Sequence, residues 1–187
     1  MFADSKFKNE LKGEWDAESV KLEERYARLP SVKFTHDMLK AARKHEQTCE
    51  TNEHLQQYVE KATTEHVHIG GPEYHEGAEV MECIVHKPND AKESGNRCII
   101  YFHGGGACVG SAIRMRDSLT KMAVLTNSVI INCNYRLCPD VKFPSPIFDA
   151  YSCVKHVIEH ADEFCIDKTK IALSGESAGG CIQMGVA

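Results

Sequence analysis

No apolar run in this 187-residue sequence approaches the ~18 residues that a membrane-spanning helix needs. The N-terminal MFADSKFKNELKGEWD also lacks the apolar stretch of a secretory leader. A basic excess is missing too: 22 Lys and Arg face 27 Asp and Glu, a formal net charge of -5. Nothing supplies the positive field that attracts phosphate, which excludes a nucleic-acid binder and argues against an anionic membrane surface as partner. Cysteine is plentiful, with nine residues, but no pair is spaced C-x-x-C and no Cys/His set has zinc-ligand spacing. Neither a disulfide framework nor a bound metal is expected. Most of these cysteines sit in apolar runs, where a thiol serves as a small hydrophobe, and a reducing, cytoplasmic compartment follows. Internal repeats and low-complexity segments are also lacking. What remains is an ordinary globular composition, 42% hydrophobic and 26% charged, long enough for one domain with a core of its own.

Two textures divide the chain. Residues 1–62 are highly charged, carry one Gly (Gly13) and one Pro (Pro30), and show helical periodicity. Trp15, Val20, Leu22, Tyr26 and Leu29 mark one amphipathic stretch; Phe34, Met38, Leu39 and Ala42 mark another, with Thr35 placed to cap it. Residues 54–62 add a short third helix. Residues 63–187 alternate instead. His66–Ile69 and Glu79–His86 read as an antiparallel pair; Arg97–Phe102, Ser128–Asn134 and Lys170–Leu173 read as buried strands; Ala112–Leu125 and Pro146–Ala161 read as amphipathic helices. Apolar strands alternating with helices predict an α/β fold, a mostly parallel sheet with helices on both faces. The expected domains are therefore a helical segment, 1–62, lying on a sheet domain, 63–187.

The chemistry concentrates in two glycine-rich turns. Gly175-Glu176-Ser177-Ala178-Gly179 follows a strand and opens a small-residue run that can become a helix. A nucleophile on such a turn needs a strained backbone and a hydroxyl standing clear, and glycines two residues to either side remove the Cβ atoms that would collide. The alternative is a glycine-rich turn with an incidental serine. His103-Gly104-Gly105-Gly106 follows the strand RCIIYF. Consecutive glycines leave amide N–H groups free to converge on a developing oxyanion. The alternatives are a plain turn or a phosphate cradle; the latter fits poorly, because GGGACVG lacks G-x-G-x-x-G spacing and no Gly-Lys-Ser/Thr follows, so no cofactor is expected. His103 reads as a structural histidine holding this loop. Arg136 with Asp140 or Asp149 reads as a structural ion pair, and Pro139 and Pro144 shape the loop between them.

His103–Gly106, the segment Tyr135-Arg136-Leu137-Cys138-Pro139-Asp140 through Asp149-Ala150-Tyr151, and Gly175–Gly180 together resemble the hormone-sensitive-lipase-like, arylacetamide-deacetylase-like branch of the α/β-hydrolases over about residues 64–187. The resemblance implies an α/β-hydrolase fold and a serine hydrolase of carboxylic esters, with a small hydrophobic ester as substrate. It implies Ser177 as the catalytic nucleophile and the amides of Gly105, Gly106 and Ala178 as oxyanion hole, supported by His103, Gly104, Gly175 and Gly179. It also makes residues 1–62 part of a cap over the site. Cys138 and Cys165 stand where relatives more often carry Ala and Gly.

A serine hydroxyl needs a base, and in this fold the chain order is nucleophile, acid, histidine. All ten histidines precede Ser177, and the ten residues after it, AGGCIQMGVA, hold no His, Asp or Glu. His156 and His160 are expected on a solvated helix face. The expectation is a fold truncated after the nucleophile turn and nearly inactive by itself, the triad acid and histidine lying outside it. Two other classes stay open: a small-ligand receptor of the same fold without catalysis, and an inactive truncated product.

Overall fold

The computed structural model describes residue 21, residues 35–46 and residues 53–187. By its contacts the chain divides into residues 1–34 and 35–187, and the description below concerns the second unit. The stretch marked by Trp15 to Leu29, Lys21 apart, lies outside the described residues, as does Phe34.

Helix α1 spans His36–Glu46. Thr35 caps it as expected, its Oγ1 accepting the Met38 N–H at 3.2 Å. The third helix is shorter than expected: one 3-10 turn, Glu53–Leu55, runs into a single α-turn, α2, Gln56–Val59. Residue 62, expected in that helix, instead begins the sheet.

Five strands follow: β1 Ala62–Ile69, β2 Met81–Pro88, β3 Asn96–Phe102, β4 Ser128–Cys133 and β5 Ile166–Gly175. Their order across the sheet is β1-β2-β4-β3-β5. β1 and β2 pair antiparallel, from Ala62 opposite Pro88 to Ile69 opposite Met81, and β2 runs antiparallel to β4. β4, β3 and β5 are mutually parallel. Helices cover both faces. Helix α3, Ala112–Thr126, joins β3 to β4; α4, Ser145–Glu159, joins β4 to β5; the short α5, Ala178–Met184, follows β5.

Side-chain alternation along the strands separates two cores. Cys98, Ile100 and Phe102 of β3 with Val129, Ile131 and Cys133 of β4 face Ala150, Cys153 and Val157 of α4 and Ile182 of α5. Tyr101 and Ile130 face the other way, onto Leu119 and Ala123 of α3. Two asparagines interrupt the apolar run at the end of β4 and fasten the start of α3. Asn132 Nδ2 donates to the Ala112 carbonyl at 2.8 Å, and Asn134 Oδ1 accepts the Ala112 N–H at 3.1 Å. Ser111 then caps α3 through its Oγ. The loop between β3 and α3, which carries the three glycines, is therefore held at both ends.

Candidate active site

Both glycine turns emerge at the C-terminal ends of neighbouring parallel strands, because Phe102, the last residue of β3, lies opposite Gly175, the last of β5. That is the edge of an open α/β sheet where ligands bind. Ser177 sits in the turn between β5 and α5 with φ 50° and ψ -119°, a left-handed conformation that a non-glycine residue adopts only under external restraint. The restraint is visible around it. A Cβ on Gly179 would lie 2.0 Å from the Phe102 carbonyl oxygen, and one on Gly175 would lie 2.6 Å from the Gly179 carbonyl. Only glycines let the turn close this tightly onto β3. The Glu176 carbonyl accepts the Gly179 N–H at 2.8 Å, and Ser177 O accepts the Cys181 N–H at 3.2 Å, starting the helix. Ser177 is solvent-exposed, Gly179 buried and Ala178 half-buried.

The His103–Gly106 loop lies against that turn. A Cβ on Gly104 would come within 3.0 Å of the Glu176 side chain and 3.2 Å of its carbonyl oxygen. Gly105 has φ 115° and sits on Val109, whose carbonyl a Cβ would meet at 2.1 Å; its own carbonyl accepts the N–H groups of Cys108 and Val109, both at 3.0 Å. Gly106 is exposed. A cavity of about 180 Å³ beside the loop is lined by Gly104, Gly105, Arg114 and Glu176 among others, while Ser177 does not line it.

His103 does what a structural histidine does. It is buried, stacks on Tyr135 with ring centroids 4.4 Å apart, and donates from Nδ1 to the Gly104 carbonyl at 2.8 Å. Tyr135 Oη donates to the His103 carbonyl at 2.6 Å. Burial holds the Tyr135 phenol well above its usual range, with Cys133, Cys108 and Glu176 adding to the effect, so the hydroxyl stays protonated and keeps donating. This support was not singled out in the sequence; a tyrosine directly after the β4 asparagines is its only local signal.

Of the two acids offered to Arg136, the structure selects Asp149. Asp149 is fully buried and accepts from Arg136 Nε at 2.8 Å, from its terminal nitrogen at 2.6 Å and from the Glu79 N–H at 3.2 Å. Glu79 adds a second carboxylate at 2.9 Å from the guanidinium. Asp140 instead faces Arg43 of α1. The peptides before Pro139 and Pro144 are cis.

Three further histidines hold partners elsewhere in the fold. His86 lies under α3 with Thr120, His66 pairs with Glu82, and His75 stacks on Phe148. The expected solvation of His156 and His160 is corrected: both are half-buried, stacked on each other at 4.3 Å, and His156 lies 5.2 Å from the Tyr74 ring. Tyr74, from the loop before β2, covers that helix face, so a polar stripe on α4 became an aromatic cluster. Burial, followed by the His160 charge, lowers the His156 pKa.

A thiol cluster also forms between elements far apart in the chain. The sulfurs of Cys83, Cys133 and Cys153 all lie within 4.8 Å of one another and are buried. They come from β2, β4 and α4, so no local spacing could reveal them. Cys133 Sγ donates to Cys153 Sγ at 2.9 Å. Two thiolates on one zinc ion stand about 3.8 Å apart, given bonds of ~2.3 Å in tetrahedral geometry. The Cys133–Cys153 separation is shorter than that, so this pair as placed is not set for joint ligation.

A family model described as an alpha/beta hydrolase fold matches residues 99–187. Among relatives, neutral cholesterol ester hydrolase 1 of Pongo abelii is 38% identical over 111 residues, covering 57% of this chain and 27% of that protein. An arylesterase of Saccharolobus solfataricus is 38% identical over 92 residues, 48% of this chain and 29% of its own length. Among solved structures, a Pyrobaculum calidifontis esterase superposes with a TM-score of 0.65 at 25% identity, over 91% of this chain and 51% of its own. EstE1, a carboxylesterase cloned from a metagenomic library, gives 0.64 at 30% identity, over 79% and 46%. The chain thus spans under a third of these relatives and about half of these structures.

Proposed function

We propose, from the match of residues 99–187 to a family model described as an alpha/beta hydrolase fold, that this chain belongs to that family and is part of an enzyme that hydrolyses carboxylic esters through an acyl-enzyme on Ser177. The observation that carries this reading is the strained φ of 50° at an exposed serine, fixed between two sterically obligatory glycines and set against a second glycine loop. Ser177 Oγ attacks the ester carbonyl while a general base takes its proton. The amides of Gly105, Gly106 and Ala178 hold the oxyanion; the C–O bond then breaks, and the alcohol leaves with a proton. Water repeats the sequence and releases the acid. The base and its carboxylate partner are assigned to none of the described histidines.

Esters with an apolar acid or alcohol suit the reading, because the relatives are named for cholesterol esters and aryl esters. No helix among the described residues is long and apolar enough to cross a membrane. Eight free cysteines among them suit a reducing, cytoplasmic compartment.

The test is turnover of p-nitrophenyl butyrate by the full-length protein and its Ser177→Ala variant. Loss of activity by a factor of about 10³ or more supports the nucleophile. Equal rates for the two proteins reject it.

A further inference from the structure

Arg43 belongs to no motif, yet its guanidinium meets three acceptors outside α1. Its Nε donates to the Cys108 carbonyl at 2.8 Å, and one terminal nitrogen donates to the Cys138 carbonyl at 2.6 Å. The other pairs with Asp140. The side chain is only 19% exposed. Three separate acceptors thus use one planar fork, a pattern that a lysine ammonium cannot reproduce.

The two carbonyls matter because of where they lie. Cys108 closes the glycine loop: its N–H donates to Gly105 O, while its carbonyl goes to Arg43. Cys138 donates its own N–H to Ala107 O at 2.8 Å. Gly105, Gly106 and Ala107 have φ of 115°, 63° and 54°, three consecutive residues in the left-handed region, and Ala107 carries a Cβ there. Such a run persists only when its surroundings over-determine it. His103 and Tyr135 restrain its start; Arg43 and Cys138 restrain its end.

We propose that Arg43 is a positioning residue for the oxyanion hole. It holds residues 105–109 so that the Gly105 and Gly106 amides face Ser177, and it makes the seating of α1 a condition for a formed hole. The proposal rests on the esterase reading for its catalytic consequence but not for its structural one. An oxyanion donor displaced by a fraction of an ångström acts mainly on the transition state, so the loss belongs in kcat and not in KM.

The experiment compares wild type, Arg43→Met and Arg43→Lys in the full-length protein. It reads kcat and KM for p-nitrophenyl butyrate, Tm, and amide hydrogen exchange over residues 104–110. Arg43→Met should lower kcat by about tenfold or more with KM changed by less than about threefold, and exchange at 105–109 should accelerate. Millimolar guanidinium should restore part of the kcat. Arg43→Lys should recover less than half of the loss, and it carries the comparison if Arg43→Met does not fold. An unchanged kcat with unchanged exchange overturns the proposal; so does full recovery by lysine, or a kcat loss with no change in exchange at 105–109. Should Ser177→Ala show the esterase reading itself to be wrong, the exchange data alone decide, and an unaltered loop refutes Arg43.

Discussion

At the scale of single residues the structure distinguishes glycines that look alike in GESAGG. A methyl on Gly179 would fall 2.0 Å from the Phe102 carbonyl, whereas one on Gly180 meets nothing closer than 3.5 Å. Gly179→Ala should therefore push the turn off β3, with a loss of several kcal/mol or failure to accumulate as soluble protein. Gly180→Ala, inside α5, should be neutral or stabilising by up to about 1 kcal/mol from helix propensity. Urea titration of the pair checks this, and equal midpoints would contradict it. The same reasoning applies beneath the loop. Asp149→Ala removes the buried carboxylate that holds both Arg136 and the Glu79 N–H, leaving the guanidinium to the exposed Glu79 side chain, and should cost about 3–5 kcal/mol by the same titration, while Asp140→Ala removes an exposed carboxylate and should cost under about 1 kcal/mol.

At the scale of elements, β2 and α3 meet at a buried histidine. His86 is inaccessible, and its Nδ1 lies 2.9 Å from Thr120 Oγ1, which itself donates to the Arg116 carbonyl. The hydroxyl can then only accept from His86, which fixes Nδ1–H, and Nε2 has no hydrogen-bond partner among the described residues. Burial, with the Arg116 charge next in weight, lowers the pKa from 6.5 to about 4. Between those values the unfolded chain binds a proton that the folded one refuses. Stability therefore rises with pH through that window and is lost as pH falls toward 4; the share of this group is about 3 kcal/mol. The unfolding free energy from urea titration should fall between pH 7 and pH 4.5 by about 2–3 kcal/mol more in wild type than in His86→Leu. Equal losses would contradict it.

The same scale shows what the sequence could reveal. Strands 97–102 and 128–134 and both long helices stand within a few residues of their expected places, because each is a local pattern with its own punctuation. β5 starts four residues before the apolar KIAL, since Asp167, Lys168 and Thr169 are polar, and only the pairing of Ile166 with Asn96 draws them into the strand. Cys165, one residue earlier, has φ 58°, a left-handed conformation that glycine adopts at least cost. The serine and glycine turns were legible because their chemistry demands fixed spacing. Arg43, Tyr135 and the thiol trio were not, since each depends on contacts between elements far apart in sequence.

At the scale of the whole molecule, β5 is hydrogen-bonded to β3 alone among the described residues, and Ala172, Cys181 and Met184 beside that edge are exposed. An unpaired strand edge flanked by apolar surface recruits other strands. Residues 1–187 expressed alone should self-associate at micromolar concentration; a monodisperse monomer by light scattering would count against this.

The central claim concerns one hydroxyl and its surroundings. The direct measurement is intact-mass and peptide mapping of the full-length protein after reaction with a fluorophosphonate ester. The account predicts one adduct per chain, on Ser177, with its formation slowed by competing p-nitrophenyl butyrate. An adduct on any other residue, or equal labelling of Ser177→Ala, would contradict it.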